Sequence, residues 1–213
     1  MFHRGMTGVN KLRILGITGG VGTGKSTVTA EFEKLGYGKV SADEVAHRII
    51  LKGRPAYAKL LAFFGRSILG KGGAIDRRKL GRLAFKDGES RRALDKITHP
   101  EIIREIKTAI KKELLRKETV CLEAPLLFEA GLEGLAGAVL VVYALKKTQL
   151  RRLAGKGYSK KEAESRLEAQ LPLEEKIRRA DFVIVNEVSR SALKAQVQTI
   201  HKILQFSGSQ KKA

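Results

Sequence analysis

Leu12-Arg13-Ile14-Leu15-Gly16-Ile17-Thr18 runs directly into Gly19-Gly20-Val21-Gly22-Thr23-Gly24-Lys25-Ser26. The first seven residues are short and mostly apolar, as in a buried strand. The next eight fit G-x-x-x-x-G-K-[ST], and Ser26 to Leu35 then reads as a helix. Glycines let the backbone curl until successive N–H groups point inward at an anion, where a Cβ would clash. The following helix adds its positive end to the same spot. Lys25 is spaced to reach β- and γ-phosphates, and the Ser26 hydroxyl to ligate Mg²⁺. A chance match in a chain of this size is expected roughly 1% of the time, before the strand-loop-helix context is counted. The stretch predicts a bound nucleoside triphosphate.

Working outward, further short apolar runs read as strands. Lys39 and Val40 end a second, and Glu118–Leu122, Ala138–Tyr143 and Asp181–Val185 follow. VLVV and FVIV are continuous rather than alternating, which predicts strands covered on both faces. Ile102, Ile103, Ile106, Ile110 and Leu114 line one face of a long helix, as do Leu193, Val197, Ile200 and Leu204 near the end. Ser41–Glu44, Thr98–Glu101 and Ser159–Glu162 read as capping boxes at three helix starts. Strands alternating with helices predict a parallel α/β sheet, and residues 52–117, almost devoid of strand, a helical insertion beside it. Residues 1–10 read as a loose extension and 207–213 as a frayed tail.

The 213 residues are 43% apolar, enough for a sizeable core in one domain. Charged residues make up 30%, and no apolar run approaches the ~18 residues of a membrane span, which excludes a helical membrane protein and wholesale disorder. Cys121 is the single cysteine, so no intramolecular disulfide forms. With no secretory signal in Met1 to Asn10, the expected compartment is the reducing cytoplasm. Lys and Arg number 42 against 22 Asp and Glu, a net charge of +20. That suits a polyanionic partner or simply a basic, soluble surface. Aromatics are only 6% and Trp is absent, unlike a stacking nucleic-acid binder.

Three further stretches carry chemistry. In Ser41-Ala42-Asp43-Glu44, Asp43 falls in the first turn of a helix after the second strand, where it either accepts a proton from an attacking hydroxyl or complements the helix dipole. Glu123 ends the strand ETVCL, as a carboxylate does when it holds hydrated Mg²⁺ or simply faces solvent. Lys146 to Lys161 holds seven cations and no acid, fitting a mobile lid over phosphates or a solvated basic helix.

Together these pieces resemble the dephospho-coenzyme A kinase family, from about Leu12 to Asn186. GITGGVGTGKSTV is similar to its phosphate loop, and SADEVAH to its D-A-D segment. IDRRKLGRLAF, Thr98-His99-Pro100, APLLFE, QLRR, RLEAQ and ADFVIVN match further blocks in order. The resemblance implies a P-loop three-layer sandwich with five parallel strands. Its core would be 11–51 and 118–145, with an acceptor-binding insertion at 52–117, a lid at 146–172, and the last strand and helix at 173–206. It implies phosphorylation of the ribose 3′-hydroxyl of dephospho-coenzyme A by ATP with Mg²⁺. The implied ATP site is Gly19, Gly20, Val21, Gly22, Thr23, Gly24, Lys25, Ser26, Thr27 and Asn186, the last beside adenine. Asp43 would be the base, Lys25 and Arg152 catalytic cations, and Thr18, Asp43, Arg77 and His99 acceptor contacts. Ser26, and Glu123 through water, would serve Mg²⁺. Two positions depart from the pattern: Ser41 stands for the first Asp, and Lys156 for a second lid arginine beside Arg152. A monomer or weak homo-oligomer is expected, without nucleic acid or membrane. Another small-molecule P-loop kinase, such as a nucleoside monophosphate kinase, and a nucleic-acid-binding ATPase are the rival readings, and nothing in SADEVAH or PLLFE particularly suits the first.

Overall fold

A computed structural model describes residues 13–84 and 86–209, with side chains to residue 205. The extension at 1–10, the strand start at Leu12, Phe85 of the IDRRKLGRLAF block and residues 210–213 lie outside the described residues. The elements in chain order are β1 (Ile14–Thr18), α1 (Lys25–Lys34), β2 (Gly38–Ser41), α2 (Ala42–Ile49), α3 (Pro55–Phe64), α4 (Arg77–Ala84) and α5 (Gly88–Leu114). Then come β3 (Val120–Glu123), β4 (Ala138–Tyr143), α6 (Lys146–Ala154), α7 (Lys160–Glu168), α8 (Leu173–Arg178), β5 (Phe182–Val185) and α9 (Arg190–Ser209).

The five strands form one sheet in the order β2-β3-β1-β4-β5. Ile14 pairs in parallel with Val120, Leu15 with Ala138, and Leu140 with Phe182. This is the five-stranded parallel α/β sheet that the strand and helix pattern predicts. β1 lies at the centre, with consecutive strands β3 and β4 on either side, so its carboxyl end opens at a topological switch point. The loop at Gly19–Gly24 leaves from that end.

Apolar side chains cover both faces of the central strands. Leu15, Ile17, Leu140, Val142 and Ile184 pack with Val28 and Phe32 of α1 and Leu193, Val197 and Ile200 of α9. The alternate residues Ile14, Val120, Leu122, Val139 and Val141 are buried too, and Leu127 and Ala136 approach the bare face of Gly16. Double coverage explains the unbroken apolar runs. FVIV departs from that expectation. β5 is an edge strand, and although Ile184 is buried, Val183 and Val185 are 39% and 40% exposed.

The described residues divide into two compact units, one running up to Val40 and resuming at Ile110, the other between Ser41 and Ala109. The second is helical, with Val45, Ile49, Ala56, Leu60, Ile68, Leu80, Ala84 and Ile106 buried. Lys59 and Arg54 of this unit pair with Glu101 and Glu105 of α5 at 3.5 and 3.9 Å.

Two helix boundaries correct the sequence reading. Thr98–Glu101 is not a capping box, because α5 already begins at Gly88. Asp87 takes the Ser90 amide at 2.7 Å, an earlier start, while the Thr98 hydroxyl bonds back to the Leu94 carbonyl at 2.8 Å. The helix runs on through Pro100, which gives up one backbone bond. His99 is therefore mid-helix. At the other end α9 continues to Ser209, into the stretch read as tail. Ser159–Glu162 is a full capping box, and the Ser41 hydroxyl accepts from the Glu44 amide at 3.3 Å.

Candidate active site

The loop between β1 and α1 is shaped by glycines that nothing larger could replace. Gly24 caps α1 at φ 92°, and a Cβ there would run into the Asn186 amide. Gly19 sits at φ 147° against the Val142 carbonyl. α1 has no side-chain cap and no acid in its first turn, so its leading amides face the loop's concavity without a built-in anion. Lys25 folds back over the loop. Its buried Nζ donates to the carbonyls of Gly19 and Gly20 at 3.1 and 3.0 Å. The Thr23 hydroxyl also donates to Gly20 O, at 2.9 Å.

At the rim, the exposed Ser26 hydroxyl donates to Glu123 Oε1 at 2.8 Å. Glu123 is otherwise buried at the end of β3, and Lys39 approaches its other oxygen at 4.0 Å. The two residues are 97 positions apart in the chain, and the pairing of β1 with β3 brings them together. A hydroxyl beside a carboxylate is a hard oxygen-donor set of the kind Mg²⁺ takes, with water and phosphate oxygens completing its shell. Among the described residues no group of three or more His, Cys, Asp and Glu gathers as a metal cage.

The outer side of the loop is held by residues from far along the chain. Arg152 of α6 donates to the carbonyls of Gly22 (3.2 Å), Thr23 (3.0 Å) and Asn186 (2.8 Å). Buried Asn186 adds a bond from Nδ2 to Thr23 O at 2.7 Å. The Val21 amide donates to Gln170 Oε1 at 3.0 Å. α6 has no cap of its own, so Glu187 supplies one. Its two oxygens accept from the Leu145 amide and the Thr148 hydroxyl, each at 2.9 Å.

Lys25, Ser26, Glu123, Arg152 and Asn186 thus gather around Gly19–Thr27. Thr27 is exposed in the first turn of α1. Thr18, read as an acceptor contact, is fully buried, its hydroxyl on Pro125 O at 3.3 Å. Asp43 is exposed in the first turn of α2. Arg77, also exposed, opens α4, where Asp76 takes the amides of Arg78 and Lys79. Those amides, Lys79's most of all, hold the Asp76 carboxyl below the usual carboxylate range. His99 is exposed on α5, and Lys156 on the turn after α6.

Gln170 and Glu187 are the supporting residues that motif reading left without a role. Each acts through side-chain bonds to distant partners, which leave no periodic trace. Gln170 does close the RLEAQ block, and Glu187 directly follows Asn186.

A glycine loop at the carboxyl end of a central parallel strand, backed by a lysine and faced by a carboxylate, places the protein among the P-loop phosphotransferases. Comparison with known proteins narrows this. Residues 13–191 match the family model described as CoaE, dephospho-CoA kinase. A dephospho-CoA kinase of Carboxydothermus hydrogenoformans is 44% identical over 192 residues, 89% of this chain and 93% of that one. One from Geobacillus kaustophilus is 44% identical over 191 residues, 88% and 94% of the two chains. Among solved structures, a Campylobacter jejuni dephospho-CoA kinase superposes with a TM-score of 0.67 at 30% identity, covering 92% of this chain and 98% of that one. A Thermus thermophilus protein reaches 0.77 at 37% identity, covering 90% and 96%. The chain belongs to the dephospho-CoA kinase family.

Proposed function

We propose that the protein transfers the γ-phosphate of ATP to the ribose 3′-hydroxyl of dephospho-coenzyme A, giving ADP and coenzyme A, the last step of coenzyme A synthesis. The observation that carries this is a P-loop with Lys25, Ser26 and Glu123 assembled around it, in a chain that matches the family over residues 13–191. The acceptor's 3′-oxygen attacks the γ-phosphorus, the bond to the β-phosphate oxygen breaks, and the hydroxyl proton passes to Asp43. Lys25 neutralises charge that builds on the phosphoryl oxygens.

Ser26 and Glu123 would hold Mg²⁺, the latter through water. When bound, the ion supplies positive charge to the phosphate oxygens. Arg152, whose guanidinium holds the outer carbonyls of the loop, would close on the phosphates as a second catalytic cation, and Asn186 would line the adenine pocket. Arg77 and His99 would take the acceptor on the helical unit. Lys156, on a lid spanning 146–172, would add a cation without the bidentate geometry of arginine. Thr18, at the base of the loop, would add a further acceptor contact. With no helix among the described residues long and apolar enough to cross a membrane, and a lone buried Cys121, a reducing cytoplasmic setting fits.

Product analysis tests the proposal directly. The protein is incubated with Mg·ATP and, in separate arms, dephospho-coenzyme A, adenosine monophosphate and other nucleotides. Coenzyme A is expected in the first arm only. Phosphorylation of a nucleotide monophosphate in its place would refute the acceptor assignment.

A further inference from the structure

Lys176 of α8 carries an ammonium whose side chain is 0% exposed. Its Nζ donates to the Pro125 carbonyl at 2.7 Å and pairs with Glu129 Oε1 at 2.8 Å. Burying the ammonium is costly even beside Glu129, whose own side chain is 19% exposed, and an apolar residue of similar volume commonly holds a fold as well or better. A reason for the charges lies in what else they touch.

Glu129 Oε1 also accepts from the Leu171 amide at 3.0 Å. Leu171 follows Gln170, whose side chain holds the Val21 amide of the P-loop. Pro125 O in turn accepts from Thr18, the residue just before that loop. The bonds close a ring: from Thr18 along the loop to Val21, across to Gln170 and Leu171, through Glu129 and Lys176 to Pro125, and back to Thr18. Glu123, which holds Ser26, ends β3 two residues before Pro125. The loop's entry, its tip and its Ser26 end are thereby tied to one ion pair, whose ammonium is buried. The pair acts on the loop through these intermediaries.

We infer that Lys176 and Glu129 are positioning residues for phosphoryl transfer, fixing the turn after β3 and, through it, both the Ser26–Glu123 pair and the P-loop. This rests on the kinase reading above. Small misplacements of a phosphate-binding frame cost rate steeply, so the effect belongs in turnover and nucleotide binding rather than in acceptor affinity.

The test is the double variant Lys176→Met with Glu129→Gln in the full chain. It removes both charges at once, and the introduced glutamine keeps an acceptor for the Leu171 amide. Expected are a melting temperature near that of the unmodified protein and a kcat per folded molecule lower by about 10- to 100-fold, in the range seen when supporting bonds are lost. The Kd for Mg·ATP, by calorimetry, should rise about 10-fold while the KM for dephospho-coenzyme A stays within about twofold. A double variant with kcat and Kd both within twofold of the unmodified protein overturns the inference, as does a loss explained wholly by unfolded molecules. Should the double variant fail to fold, Glu129→Gln alone decides by the same two readouts. An unmodified protein that binds Mg·ATP yet makes no coenzyme A refutes the acceptor assignment, and the Kd comparison then decides this inference by itself.

Discussion

Two helix N-termini in this chain are finished in opposite ways. α1 starts from a left-handed glycine, with no side-chain cap and no acid in its first turn. α2 starts from Ser41, whose hydroxyl takes the Glu44 amide, and its first turn carries both Asp43 and Glu44. Both ends present orphan amides and a positive dipole end. In α2 the chain satisfies that end from its own sequence. In α1 it leaves the end to an outside anion and spends three long-range side chains (Arg152, Asn186 and Gln170) on keeping the preceding loop in shape. An acid near α2 consequently has a choice of roles that nothing near α1 has. Asp43 either serves its own helix or serves the reaction, and energies separate the two.

The largest expected effect is at the open end. Lys25→Ala removes the ammonium that bridges Gly19 and Gly20 and that, in the proposed reaction, neutralises the transferring group. Turnover should fall by about 10²- to 10³-fold, as on losing a main transition-state donor, with weaker ATP binding as well. Steady-state kinetics beside calorimetry checks both. Normal kinetics would remove the loop from the mechanism and erase the contrast between the two helix ends.

Asp43→Ala comes next. As a general base its loss should cost about 10²-fold or more in turnover and leave ATP affinity nearly intact. As a mere dipole partner it would cost only about 0.3–1 kcal/mol of stability and no rate. Turnover close to that of the unmodified protein, with a lowered melting temperature, would put Asp43 in the second class.

Ser41 sharpens the same point with a smaller effect. Ser41→Ala should lower stability by about 1 kcal/mol through the lost cap. Ser41→Asp, which restores the residue expected from the family pattern, is also a good cap and should return that stability with turnover within about twofold. Denaturant titration and kinetics on the two variants separate cap from chemistry. A large change in rate with Asp would mean that position 41 carries more than a cap.

How far such features can be read ahead depends on how local they are. Strand, glycine loop and helix from Ile14 to Lys34 are contiguous, so periodicity and glycine spacing carry them completely. Glu123 is legible as a strand-end carboxylate, but its bond to Ser26 exists only once β3 lies beside β1. Thr98–Glu101 has the letters of a cap without the role, because Asp87 offers the amides an acceptor earlier in the chain. FVIV shows a buried pattern on an edge strand for another non-local reason. Gln196 of α9 places its amide against both the N–H and the carbonyl of Val185, at 3.0 and 3.1 Å. A single side chain thus blunts that stretch of open edge, which otherwise calls for charges or proline. Bonds such as these, and those of Gln170 and Glu187, join a side chain to distant groups. Composition and spacing hold no record of them.

The smallest effect concerns the far end of α1, the anchor that lets its near end stay open. Tyr37 closes that end, its amide on the Phe32 carbonyl and its ring edge-on to Phe32 at 5.0 Å between centroids. Its hydroxyl lies 3.2 Å from His201 Nδ1 of α9. Burial, helped by nearby Cys121, pushes the phenol from 10.0 up to about 12. The unfolded chain therefore releases this proton first as pH rises. The tyrosine's contribution is fully present below pH 10 and declines as pH climbs from 10 towards 12. Tyr37→Phe should leave turnover at neutral pH unchanged and flatten the fall of melting temperature across that window. Burial also pushes the Cys121 thiol up, so part of the slope will persist in the variant. An unaltered alkaline profile would show that Tyr37 ionises as freely in the folded protein as in the unfolded chain.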